Sequence, residues 1–146
     1  MMKNLFTVLF GFLFTLCLQA QTESDILGDW YNEEKDAVIN IFLQNDMYYG
    51  KIIWMLNPLD NNGMPKTDPL NPDESLQSRS RMGMVIMYNF KFDNNNKWVD
   101  GNIYDPKTGN EYSGNITLTS KNRLDLRGYV GIPLFGRTSN WSRKLD

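Results

Sequence analysis

"GNIYDPKTGNEYSGNITL", Gly101–Leu118, decides how the chain folds. It gathers Tyr, Asp, Lys, Thr, Asn and Glu, the ingredients of an acid/base site. Their order argues instead for a turn between two strands. Asp105 can accept backbone N–H groups, Pro106 presets φ at the next position, and Gly109 can take the left-handed conformation that ends a turn with a bulge. Beyond the turn, Tyr112, Gly114, Ile116 and Leu118 alternate with Ser113, Asn115 and Thr117, the period of a half-buried strand. The stretch reads as a β-hairpin, with a tip that can form the rim of a barrel mouth.

The same period extends on both sides. "AVINIFLQ" sets Ala37, Ile39, Ile41 and Leu43 on one face, and "MVIMYNFKF" does so with Met84, Ile86, Tyr88, Phe90 and Phe92. "GDWY", "MYYGKIIWML", "KWVDGNIY", "RLDLRGYV" and "RTSNWSRK" supply further strands. Eight strands joined mostly by hairpin turns predict an all-β protein, an eight-stranded antiparallel up-and-down barrel. Asn57–Gly83 is the exception, being too long and too Pro-rich for a hairpin turn. Asn71 as N-cap, Pro72 at the first helical position and the acids Asp73 and Glu74 predict one short helix there, Pro72–Ser80, between the third and fourth strands.

The chain's beginning has a different character. Lys3, an apolar run from Leu5 to Leu18 and "LQAQ" have the layout of a signal peptide over residues 1–20, cleaved after Ala20. The run is short for a membrane span. An uncleaved N-terminal anchor is the alternative; a lipoprotein fits less well, because Leu16 precedes Cys17 where a small residue is wanted. Residues 24–146 are then a single exported domain, periplasmic or secreted, without a transmembrane span.

Composition narrows the chemistry. The chain has no His, its one Cys lies in the leader, and its formal net charge is −2. Thiol nucleophiles, Ser-His-Asp triads and His- or thiolate-held metals are excluded, and an acidic domain offers no nucleic-acid footprint. No cofactor is implied. "DNNG" at Asp60–Gly63 lacks the later oxygen ligands of a calcium loop, Met64 standing at the next ligand position, and reads as a turn.

"GDWY", "GKIIWML", "DPLNPDESLQSR", "GNIYDPKTGNEY" and "LDLRGYVGIPLFGRTSNWSRK" occur in this order and together resemble the bacterial envelope family catalogued as domain of unknown function 2147. The resemblance covers Ile26 to Lys144 and implies a lipocalin-like barrel without a known reaction. Gly28-Asp29-Trp30 matches the Gly-x-Trp of lipocalin first strands. By the same resemblance a late arginine, Arg143 in preference to Arg137, packs over Trp30 and closes the barrel. The expected helix lies elsewhere than in lipocalins, and lipocalin disulfides are absent.

A barrel of this size can enclose one small ligand or be filled by side chains. Trp54, Tyr88, Trp98, Tyr104 and Tyr129 are the candidates to line a cavity. Arg127, opposite Leu124 and Leu126, is a solvated charge if outward and an anchor for a ligand's acid group if inward. The expected function is non-catalytic binding of a small apolar or amphipathic ligand in the cell envelope. The alternatives are an adaptor that binds envelope protein or glycan through its loops, and a carboxylate enzyme.

Overall fold

The computed structural model describes residues 22–146; the expected leader, 1–20, lies outside them. Eight strands follow one another: β1 Gly28–Tyr31, β2 Ala37–Gln44, β3 Met47–Met55, β4 Val85–Asp93, β5 Lys97–Asp105, β6 Asn110–Ser120, β7 Arg123–Tyr129 and β8 Arg137–Arg143. Each pairs antiparallel with the next, and β8 returns to β1 through Trp30↔Arg143 and Tyr31↔Ser142, so the sheet closes. Closure removes the open edges that would otherwise invite association.

The expected helix shrinks to a single 3-10 turn, Glu74–Leu76. Its cap is Asp73 rather than Asn71, with the carboxylate accepting from Ser75 N at 3.0 Å. Asn71 is buried just ahead of it, its amide donating to Asp68 at 2.8 Å and its Oδ1 accepting Asp73 N at 2.9 Å, and so it shapes the turn that precedes the 3-10 residues. Among the described residues no helix is long and apolar enough to cross a membrane.

One end of the barrel is sealed. Trp30 is fully buried, its indole N–H donates to Ile26 O at 2.9 Å, and the Arg143 guanidinium lies 4.1 Å above its ring. Arg143 also donates to the carbonyls of Lys121, Leu27 and Asp25, so one side chain ties the β6–β7 turn and the segment before β1 together across the floor. The core above contains Trp98, Phe90, Ile41, Ile116, Leu118 and Leu124.

Five register shifts interrupt the pairing, and three of them bear most on which of the expected residues reach the interior. Val38↔Trp54 is followed by Ile39↔Ile52, so Ile53 is extra in β3. Tyr48↔Phe90 is followed by Gly50↔Met87, three steps of β4 against two of β3. Trp98↔Ile116 is followed by Gly101↔Gly114, three steps of β5 against two of β6. Asn89 and Asp100, at φ 63° and 57°, carry the second and third. Each extra residue flips the alternation beyond it to the other face. The face expected from "MVIMYNFKF" is therefore broken: Met87 and Phe90 are both buried, and Tyr88 is turned away.

Candidate functional site

The other end is open. The loops β1–β2, β3–β4, β5–β6 and β7–β8 gather there around a cavity of about 440 Å3. Its wall is apolar, built from Ile39, Ile52, Ile86, Ile103 and Leu126, with Tyr112 and Trp141 as its aromatic members. Its mouth is charged: Glu34 and Asp36 from the first loop, Lys66 and Arg81 from the long one, Lys107 from the hairpin, and Arg137 at the start of β8. An apolar pocket with a few polar groups converging on it is the usual build of a small-molecule site.

The "DPKTG" hairpin is a turn, and it is also part of this rim. Asp105 Oδ1 accepts Lys107 N at 2.9 Å, Gly109 N donates to Asp105 O at 2.8 Å, and Gly109 has φ 74°. Lys107 Nζ reaches Asp36 at 3.0 Å and joins the hairpin to the β1–β2 loop. Partial burial pushes the Asp36 carboxyl up, but hydrogen bonds from Asn32 and Lys107 outweigh it and hold it below the usual carboxylate range.

The long β3–β4 loop is latched to the outer wall by one fully buried carboxylate. Asp68 accepts from Tyr104 Oη at 2.7 Å, Asn71 Nδ2 at 2.8 Å and Arg79 Nε at 3.1 Å. Burial raises its pKa, yet these donors and the Arg79 charge more than reverse that, and the group stays ionised below its ordinary value. The Tyr104 hydroxyl is pushed up by burial and by the carboxylate it donates to. Leu70 lies tight against the hairpin: a Cβ on Gly109 would come 2.1 Å from Leu70 O. The "DNNG" stretch is a turn, Asp60 Oδ1 accepting Asn62 N and Met64 N at 2.8 and 3.0 Å.

Most residues expected in the cavity lie elsewhere. Trp54 is 40% exposed on the outer wall, edge-on to Tyr31 at 6.3 Å, because the Ile53 bulge turns it outward. Tyr88 faces out beside Glu111, where burial and that carboxylate raise its pKa. Trp98 is fully buried in the packed core against Phe92 and Tyr48. Tyr129 pairs with Ser113 on the outer face. Tyr104 touches the mouth, but its hydroxyl serves the latch.

Arg127 is outward too. It donates to Pro133 O at 2.7 Å, Thr138 Oγ1 at 2.8 Å and Leu134 O at 3.2 Å, pinning the β7–β8 loop. That loop exposes Val130, Ile132, Leu134 and Phe135, the last at 80%. The rim cations Lys66 and Arg81 were missed by sequence reasoning, and Lys107 was not singled out within the hairpin tip expected at the rim. They sit in loops without periodicity, and only closure of the barrel brings those loops together.

The family model for an uncharacterized protein conserved in bacteria, DUF2147, matches residues 28–143. The chain belongs to this family. The match begins and ends on the two residues of the barrel's floor, Gly28 and Arg143. No curated protein matches the chain. Among solved structures, protein HP1028 from the human pathogen Helicobacter pylori, described as belonging to the lipocalin family, is similar, with a TM-score of 0.71 and 24% identity over 82% of this chain and 83% of that one. The likeness shows the fold: this member of DUF2147 is a lipocalin-like barrel.

Proposed function

We propose that this DUF2147 protein is an exported, non-catalytic barrel that binds a small amphipathic ligand in the cell envelope, its apolar body in the cavity and its polar end at the charged mouth. The observation that carries the reading is the cavity of about 440 Å3, apolar inside and open at one end. Filling it would bury apolar ligand surface at roughly 25 cal/mol per Å2. The lipocalin-like fold suits this use, since a barrel of eight strands has room for one small ligand where side chains do not fill it. The leader-like residues 1–20 support export. A non-catalytic role is supported by the occupation of the mouth carboxylates: Asp36 is paired with Lys107, Glu34 accepts from Asn32, and Asp105 caps its own turn.

Titration with a dansyl-labelled undecanoic acid checks the reading, together with native mass spectrometry of protein recovered from bacterial envelopes. Enhanced, saturable fluorescence and a co-purifying small molecule are expected. An unbound protein in the second experiment and no saturation in the first would sink it. Intact mass of the exported protein should show a chain beginning near Gln21.

The exposed Val130, Ile132, Leu134 and Phe135 favour a second reading, an adaptor that contacts an envelope protein through the β7–β8 loop. Leu134→Ser with Phe135→Ser separates the two. The adaptor reading expects lost capture of envelope protein with ligand titration unchanged; unchanged capture would refute it.

A further inference from the structure

The long β3–β4 loop has a chemical task that its length alone does not reveal. Within it, Thr67 and Ser80 form a bridge, Arg81 N donates to Lys66 O at 2.9 Å, and Arg81 Nε donates to Thr67 O at 2.7 Å. This short ladder sets Lys66 and Arg81 side by side, and both line the cavity mouth. Both are half-buried.

The ion pairs among the described residues are Arg79–Asp68, Lys107–Asp36 and Arg137–Glu33. Neither Lys66 nor Arg81 belongs to one. The other two cations of the mouth are thus matched by carboxylates, while these two are not. Their acidic neighbours on the rim are turned to local donors: Asp105 Oδ2 accepts Thr108 Oγ1 at 3.0 Å, and Glu34 accepts Asn32 Nδ2 at 3.0 Å. With Nε used for Thr67, Arg81 keeps its two terminal nitrogens, the fork that suits an oxyanion. The Asp68 latch holds this loop at the mouth instead of leaving it in solvent.

Building on the amphipathic-ligand reading, we propose that Lys66 and Arg81 form an anion-recognition site and that the ligand is an apolar chain ending in an acid group. The chain enters between Ile39, Ile52, Ile86 and Ile103, and its acid group stops at the two cations. A charge-assisted hydrogen bond in a half-buried site is stronger than a neutral one, so the head group fixes orientation while the apolar wall supplies much of the affinity. Arg127, the anchor considered from the sequence, has no part in this.

The experiment displaces the dansyl probe with dodecanoate and, separately, with dodecanol, from the wild-type protein and from Lys66→Met with Arg81→Met. Methionine keeps much of each apolar stem. The proposal expects dodecanoate to weaken by about 10- to 150-fold in the double variant, the range for lost charge-assisted bonding, while dodecanol stays within about twofold. Retained dodecanol binding also shows that the variant is folded with its cavity intact. Lys121→Met, at the sealed end, removes one positive charge elsewhere and should leave both affinities alone. Unchanged dodecanoate binding in the double variant overturns the proposal, as does an equal loss for both competitors. Wild-type protein that takes dodecanol and refuses dodecanoate overturns the anion site but not the ligand-binding reading; protein that takes neither overturns both.

Discussion

The two ends of the barrel are made from the same strands and solve opposite problems. At the sealed end the inward positions carry Trp30, Trp98, Ile116, Leu118 and Leu124, and their side chains meet across the axis. At the open end Ala37, Gly128 and Ser139 stand among Ile39, Ile52, Ile86, Ile103 and Leu126, and the centre is left empty. Between them, Gly101 and Gly114 make room for the Phe90 ring: a Cβ on Gly101 would lie 2.3 Å from it. Small residues at the open end, together with the bulges that set the inward faces, decide where the packed core stops and the cavity starts. The ends differ in how they are fastened as well. Arg143 ties the floor by binding backbone carbonyls, whereas Asp68 ties the long loop by accepting from side chains.

The floor should bear most of the fold's stability. Trp30→Ala removes a wholly buried indole and the surface on which Arg143 rests, and should destabilise the protein by about 3–5 kcal/mol, as large buried aromatics do. The measurement is the denaturant midpoint, with the slope checked for an unchanged unfolded state. A midpoint within a few tenths of molar of wild type would mean that the sealed end is not the stable one, and the contrast would collapse.

The latch should matter less to global stability and more to the loop. Asp68→Ala strands the Tyr104 hydroxyl and the Asn71 amide, a loss of about 1–3 kcal/mol. The partly exposed Arg79 rehydrates and adds little. Local opening is the expected form of the loss, read as faster amide exchange over residues 66–81 with protection of β2 and β6 retained. Exchange that rose uniformly over the barrel would refute a separate latch. The pH dependence has a definite sign. The folded pKa of Asp68 lies below its ordinary 3.8, so the latch is fully present above that value. It is lost only as pH falls through the lower, folded value. Loop protection should therefore be flat through neutrality and fail in strong acid.

The barrel itself was legible in the sequence because period-two patterning and turn chemistry agree along it, and the "DPKTG" hairpin is the clearest instance. The floor was legible through Gly28, Trp30 and Arg143. The cavity wall was not, because strict alternation was carried through three bulges. Tyr88 follows Phe90 inward only if Asn89 is an ordinary strand residue, and Tyr104 follows Trp98 only if Asp100 is. Asn and Asp tolerate the left-handed conformation that both adopt. "YNF" and "VDG" are therefore the signals that the sequence offers for these two bulges. The helix failed for another reason. Asn71 has the chemistry of a cap and its Oδ1 does accept Asp73 N, but its amide is held by the buried Asp68 three residues earlier, and only the single 3-10 turn capped by Asp73 follows.

Arg127 provides the finest test of the contrast, and the smallest expected effect. Its guanidinium serves the outside of the open end, bonding Pro133 O, Leu134 O and Thr138 Oγ1. The two carbonyls lie in an exposed loop, so water can replace the lost donors. Arg127→Met should then cost only about 0.5–1.5 kcal/mol, the net value of an ordinary hydrogen bond. The loss should appear first as faster exchange between Tyr129 and Gly136. Affinity for the dansyl probe should stay at the wild-type value, because Leu126 and Gly128 face the cavity and Arg127 between them does not. A variant whose probe affinity fell as far as that of Lys66→Met with Arg81→Met would make the loop it pins part of the binding site. The boundary between cavity and outer wall would then have to be redrawn around β7.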